Sequence, residues 1–493
     1  MKEKNKITFH FGWAMSLLPM TIFLITCILF FIVFKSFDMN ALAVGGFLGL
    51  LVGALFTKTY GQYWNSVVEG IGKSSSISII VVLLLIGMFT KLMAVSGVSQ
   101  GFLWLADKVG LYGGLFTAFT FLTTCLITAA TGSSIGTLFT AYPILYPAGI
   151  ALGSNPGVLA GAILSGAVFG DNLAPISDVT IASTGTQTYK YKEETADIGG
   201  TVAYRLKYAL ISGAIALVLF AIFGGSKTEI NSIGHDMMAS MNAKGLWMLI
   251  PVVVLLIISI KTSDIFKAIT GGLISGILIG LLTGAFTANE IFSISEGQPV
   301  GFLYNGFNGM VGICLFCISL FGIMGVMEDS GALDRIIGFF LNSNMAKTPR
   351  GTEILIALGS MITTLFLGGV TSASVLTFGP VADAIGKKHD LHPYRRANIL
   401  SCFANSFPAI TPFISAFIFI SISVIMPLQS EYSFIPSISA SQIFLGCFYP
   451  MVMFLVLMAS ILTGWDRKFE TKEEIKWLNL QKELNLTQKT RKY

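Results

Sequence analysis

The residues best suited to chemistry form one unbroken stretch: Gly170-Asp171-Asn172-Leu173-Ala174-Pro175-Ile176-Ser177-Asp178-Val179-Thr180. It sets two carboxylates, hydroxyls, an amide, a Gly and a Pro between the apolar run 158–169 and Ile181-Ala182. Pro175 removes a backbone donor and clashes with the preceding turn. Gly170 lowers the cost of leaving helical geometry. The stretch therefore predicts an unwound patch in a membrane helix, with carbonyl and side-chain oxygens turned inward. Hydrocarbon tolerates such a patch only where it is buried in protein or lines a watery cavity, and ionisable groups at that depth are functional candidates. The expectation is a cation site. Asp171 is the first choice as carrier and Asp178 the second. They are seven residues apart, about two helical turns, and a break between them removes any argument from a shared face.

The elements that hold this stretch are membrane spans. The 493 residues are 54% hydrophobic and 12% charged, about half the charge of a soluble domain. Apolar runs of about 20 residues recur from end to end, so the fold class is an all-α polytopic membrane protein. The first run, 11–34, is too long for a signal-peptide core and reads as a retained span. The net charge of +5 comes from the ends and a few loops, which fits orientation in a bilayer and not nucleic-acid binding. All six cysteines fall in apolar segments, and the Cys314/Cys317 pair reads as small helix residues, not a redox or metal pair. His10, His235, His389 and His392 lie outside the predicted spans, which leaves proton chemistry to carboxylates. There is no P-loop and no nucleophile elbow, so neither an enzyme nor a cofactor is expected.

Spans are predicted at about 12–34, 40–57, 74–95, 156–187, 208–224, 246–260, 269–288, 302–327, 397–420 and 441–464. Two further apolar segments, 111–152 and 353–385, are interrupted at 129–134 and 368–374, and the span 397–420 is broken at 405–412. Met93-Ala94-Val95-Ser96-Gly97 matches Met327-Glu328-Asp329-Ser330-Gly331, Thr131-Gly132-Ser133-Ser134 matches Thr371-Ser372-Ala373-Ser374, and Ile163-Leu164-Ser165 matches Ile399-Leu400-Ser401. Their shared order predicts two repeats, residues 1–240 and 241–465, followed by a charged cytoplasmic tail, 466–493. Basic connections place Lys58, Lys73, Lys190, Lys192, Arg205, Lys207, Arg395 and Arg396 inside with both termini; Lys35, Lys108, Lys227 and Lys244 are exceptions. Each half then has about five spans, so the repeats are inverted, as in many secondary transporters. Glu69, Glu353 and Asp383 read as solvated groups near the interfaces.

Preceded by Ser165-Gly166-Ala167, the opening motif resembles the hallmark of the NhaC family of bacterial sodium/proton antiporters, within the ion-transporter superfamily. Asn172 stands where the family often carries Lys. The resemblance implies a multi-pass protein of the bacterial cell membrane that exchanges Na+ for H+, with room for a homodimer. The family also includes exchangers of small organic acids such as malate and lactate, and amino acids are a further candidate cargo; a channel is a third reading. The superfamily resemblance favours re-entrant hairpins whose tips meet the broken helices. One site would then combine Asp171, Asn172, Ser177 and Asp178 with Thr131, Ser133 and Ser134. The repeat-related site would combine Asn405, Ser406 and Thr411 with Thr371, Ser372 and Ser374. It has no carboxylate, since Phe407 takes the place of Asp171, and suits an organic substrate or a neutral contact. The plainer readings are a helix cap for Asp178, small-residue packing for the serines, and a helix–helix hydrogen bond for Asn405.

Overall fold

The computed structural model describes residues 7–30, 34, 39–225, 242–262, 264–332, 335, 338, 343–367, 369, 371–412 and 415–472. The first half contains α1 (Leu18–Ile28), α2 (Met39–Leu55), α3 (Tyr60–Gly72), α4 (Ser74–Val95), α5 (Val98–Val109), α6 (Gly113–Thr131), α7 (Ser134–Ala151), α8 (Pro156–Leu173), α9 (Asp178–Gly185) and α10 (Ile198–Phe223). The second half contains α11 (Leu249–Thr262), α12 (Ile265–Thr283), a short α13 (Ala288–Ile291), α14 (Phe302–Gly309), α15 (Val311–Asp329), α16 (Pro349–Phe366), α17 (Thr371–Lys387), α18 (Pro393–Ala409), α19 (Ala416–Glu431), a short α20 (Ala440–Leu445) and α21 (Phe448–Thr463). One antiparallel hairpin, Ser293–Ser295 with Gln298–Val300, precedes α14.

Six helical stretches are long and apolar enough to cross a bilayer: Ser76–Val95, Gly113–Thr131, Pro156–Gly185, Ile198–Phe223, Phe266–Thr283 and Phe302–Asp329. The expected spans near 12–34, 40–57, 246–260 and 441–464 appear as shorter apolar helices. The span expected at 397–420 is two helices, α18 and α19. Α-helix 8 with α9 is the most enclosed stretch, 83% buried against 28–47% for four of the other five, so the motif sits among helices and not against lipid.

The order of elements recurs. α8 starts on Asn155-Pro156 and α18 on His392-Pro393, each with a side-chain cap and Pro at the first position, where a missing N–H costs nothing. Packing recurs with the halves exchanged. α3 lies on α15 and α14 lies on α4; α9 lies on α17 and α19 lies on α7. The first pair of contacts depends on glycines. A Cβ on Gly70 would stand 2.4 Å from the Phe321 carbonyl oxygen, and one on Gly306 would stand 2.5 Å from the Gly87 oxygen. Only backbone against backbone fits there, as in small-residue crossings in membranes.

One face is closed by the segment after α21. Gly464, at φ 78°, turns the chain back, and residues 465–472 run across both halves as a strap. Arg467 Nη2 donates to Glu353 Oε2 at 2.7 Å, and Arg395 Nε donates to Glu353 Oε1 at 2.8 Å. The Glu470 carboxylate accepts from the backbone N–H groups of Lys190 and Tyr191 at 2.9–3.0 Å. His392 N–H donates to the Lys468 carbonyl, and Asp466 pairs with Tyr208 and Lys207. This corrects the reading of Glu353 as solvated: Glu353, Arg395 and Arg396 are fully buried. Arg396 pairs with Asp383, which also holds Lys387. A charge scan places such residues in loops because it counts charge and cannot see pairing.

Glu353→Ala would strand two guanidinium groups. Loss of one partner from a buried pair costs about 3–5 kcal/mol. Thermal unfolding in detergent should show a marked fall in midpoint for Glu353→Ala and a smaller one for Arg467→Ala, which leaves the Arg395 pair intact.

Candidate functional site

α8 ends at Leu173, where the Ala174 N–H closes the last turn on the Gly170 carbonyl at 2.8 Å. Pro175 and Ile176 form a turn. Ser177 then caps α9, its Oγ accepting from Thr180 N–H at 3.4 Å. The helix is broken as the sequence predicts, but the break is confined to residues 174–177. Asp171 and Asn172 sit in the last helical turn, not in an unwound patch. Gly170 is helical too, and it serves packing: a Cβ there would stand 2.5–2.6 Å from Thr128, the Ala129 nitrogen and the Cys125 carbonyl of α6.

Three helices converge on Asp171, which is 1% exposed. Asn405 of α18 donates Nδ2–H to Asp171 Oδ2 at 2.8 Å and to Asn172 Oδ1 at 3.0 Å. Asn172 Nδ2 donates to the Tyr449 hydroxyl of α21 at 3.0 Å. Asp171 Oδ1, Asn405 Oδ1, Ser406 Oγ and Ser165 Oγ are buried without a hydrogen-bond partner. Among the described residues no Lys or Arg forms a salt bridge with Asp171.

Arg205 of α10 is fully buried beside this cluster. Its Nη1 donates to the Asn172 carbonyl at 2.7 Å and to Thr180 Oγ1 at 3.1 Å; Nε donates to Asn398 Oδ1 at 2.6 Å and Nη2 to Ser401 Oγ at 2.7 Å. Arg205, expected in a cytoplasmic connection, is a helix residue instead. α10 begins at Ile198, some ten residues before the apolar run that marks its core, so Arg205 lies inside the helix. Tyr449 was missed for a different reason: its partners are remote in sequence, and nothing local distinguishes it.

The other predicted site residues are distributed differently from expectation. Asp178, Thr131, Ser133, Ser134, Thr371 and Ser372 line one cavity of about 400 Å³, with Phe316, Leu320, Phe417 and Ile420 among its walls. The hairpin tips of both halves therefore meet in one place, with Asp178 and without Asp171. Asp178 is exposed and its Oδ1 accepts from Val179 N–H at 2.9 Å. Ser133 Oγ caps α7 by accepting from Gly136 N–H at 3.1 Å. Ser374 faces away, bonded to Thr363 and Thr364 at 2.7 and 2.8 Å. Thr411 Oγ1 donates to the Phe407 carbonyl at 2.9 Å and closes α18. Ser374 and Thr411 are thus structural contacts, and the two expected groupings give way to one buried cluster and one cavity, each drawn from both halves.

Tyr449→Phe would leave the Asn172 amide without its acceptor. The expected cost is about 1 kcal/mol, read as a small fall in unfolding midpoint that is absent when Asn172 is already Leu.

The profile of the Na+/H+ antiporter family matches residues 6–225. The chain is 26% identical over 330 residues to the malate-2H+/Na+-lactate antiporter of Bacillus subtilis, covering 64% of this chain and 68% of that one. It is 26% identical over 325 residues to the Na+/H+ antiporter NhaC of Alkalihalophilus pseudofirmus, covering 61% and 68%. It is 23% identical over 476 residues to the arginine/ornithine antiporter ArcD of Halobacterium salinarum, covering 90% and 92%. The chain is a multi-pass membrane protein whose first half matches the Na+/H+ antiporter family and which is similar in sequence to curated NhaC Na+/H+ antiporters.

Proposed function

We propose that this chain is a secondary antiporter that exchanges Na+ for H+ across a bacterial cell membrane by alternating access, with Asp171 as the group that holds either ion. One observation carries the reading: Asp171 is buried with one carboxylate oxygen on an amide of the opposite half and the other without a partner. A bare carboxylate in such surroundings is costly unless a cation or a proton joins it. Sodium is satisfied by oxygen ligands, and Asp171 Oδ1, Asn405 Oδ1, Ser406 Oγ and Ser165 Oγ are the unspent ones here. A proton on the same carboxylate abolishes the charge that sodium needs, so the two ions exclude each other. Asn405 suits both states. Its Nδ2 donates to the ionised form, and a half-turn of the amide would let Oδ1 accept from the protonated one.

In this reading the halves, 1–240 and 241–465, are inverted repeats, with both termini and the tail 466–493 on the cytoplasmic side. Asp171 and Asn405 belong to opposite halves, so relative motion of the halves would assemble and dismantle the ion site.

Asp171→Asn in everted vesicles is the direct test. Sodium-driven dequenching of a pH-sensitive dye should vanish, and dequenching at the wild-type level would refute the assignment. On purified protein, Na+ but not choline should raise the unfolding midpoint, and Asp171→Asn should abolish that rise.

A second reading has its own support. A cavity of about 400 Å³ is larger than a bare ion requires, and relatives are named for malate, lactate, arginine and ornithine exchange. Under it, a small organic anion or amino acid would occupy the cavity between the hairpin tips, coupled to Na+ or H+. Counterflow of radiolabelled malate, lactate, arginine and ornithine in proteoliposomes discriminates, because a pure ion exchanger shows none.

A further inference from the structure

Exchange at Asp171 as described gives Arg205 no task, yet its placement is costly. It is a fully buried guanidinium whose four hydrogen-bond acceptors, Asn398 Oδ1, the Asn172 carbonyl, Thr180 Oγ1 and Ser401 Oγ, are all neutral. Its charge is spread over dipoles and is not cancelled. Each acceptor also lies on an element that builds the ion site. Asn172 is in the last turn of α8, next to Asp171. Thr180 is in α9, across the break. Asn398 and Ser401 are on α18, two turns and one turn before Asn405 respectively.

We propose that Arg205 is the positioning residue of the Asp171 site and its resident positive charge: it pins α8, α9 and α18 in register and, by repulsion, weakens the hold of the site on Na+. This rests on the reading of Asp171 given above. The first consequence is electrostatic. In a medium of low effective dielectric the field of an uncancelled charge extends well beyond hydrogen-bond range. It lowers the cost of leaving Asp171 ionised and empty, and it competes with any cation that arrives there. A carrier needs this, because an ion held too tightly is not released. The second consequence is geometric. The planar fork binds three elements at fixed angles, a task that a lysine ammonium cannot reproduce.

The charge and the fork are separable. Arg205→Gln removes the charge. Asn398→Asp keeps Arg205 and places a carboxylate on its Nε, cancelling the charge in place, at the expense of the Asn398 Nδ2 bond to the Thr201 carbonyl. Arg205→Lys keeps the charge and loses the fork. Wild type and the three variants would be reconstituted in proteoliposomes and their exchange rates measured against Na+ concentration, with calorimetric Na+ titration of the purified proteins alongside. In Arg205→Gln and in Asn398→Asp the half-saturating Na+ should fall about tenfold. In Arg205→Lys it should stay within about twofold of wild type while the maximal rate drops. A merely structural arginine predicts lower maximal rates and unchanged or weaker Na+ binding in all three, and that result overturns the proposal. If Arg205→Gln does not yield folded protein, Asn398→Asp decides. Asp171→Asn, run in parallel, separates the two ideas: Na+ binding that survives there dismisses the Asp171 reading itself, whereas its loss there with unaltered half-saturation in the Arg205 and Asn398 variants dismisses only the role of Arg205.

Discussion

One side-chain amide holds the centre of this protein together. Asn405 Nδ2 reaches from the second half to the carboxylate of Asp171 and the amide oxygen of Asn172 in the first. It is a modest interaction by itself, worth about 1.5–3 kcal/mol when one partner is charged. Its weight comes from where it acts. It is a donor to a carboxylate sealed from water, and it comes from the opposite half of the molecule. The surrounding architecture follows from that constraint: glycines that seat α8 on α6, a break that ends α8 just after the acid, and a tyrosine and an arginine that fix the neighbouring amide.

A second layer keeps the halves close enough for that bond to form. The glycine contacts of α3 with α15 and of α14 with α4 bring backbones together without side chains between them. Hydrophobic force is weak between helices in lipid, so such contacts, with hydrogen bonds, carry association. The buried ion groups around Glu353 act on the opposite principle. They are expensive to bury and specific once paired, and they gather at one face where the chain crosses between halves.

Much of this is written locally in the sequence. The Pro175 break, the recurring order of elements and the position of Asp171 and Asn172 just before that break follow from apolar periodicity and a few punctuating residues. Asn405 was legible as well, through its place in the matching segment of the second half. What the sequence did not disclose was pairing. Asp171 and Asp178 share one motif but face different surroundings, because the four residues between Leu173 and Asp178 turn the chain. Ser374 and Thr411 have the right chemistry and spend it on neighbouring backbone and hydroxyl groups. Arg205, Arg395 and Arg396 read as topogenic charge because a charge count has no access to burial. Local rules locate breaks and repeats; only the folded chain says which oxygen is left over.

The strap formed by 465–472 has a practical corollary. Its carboxylate at Glu470 borrows two main-chain hydrogens from the loop at Lys190 and Tyr191, and its Lys468 carbonyl takes one from His392. Residues 465–472 are therefore a buckle and not a loose end. Whatever is fused downstream of it, a fluorescent reporter or an affinity handle, hangs from a working part, and a protease that nips it would unfasten two halves with a single cut.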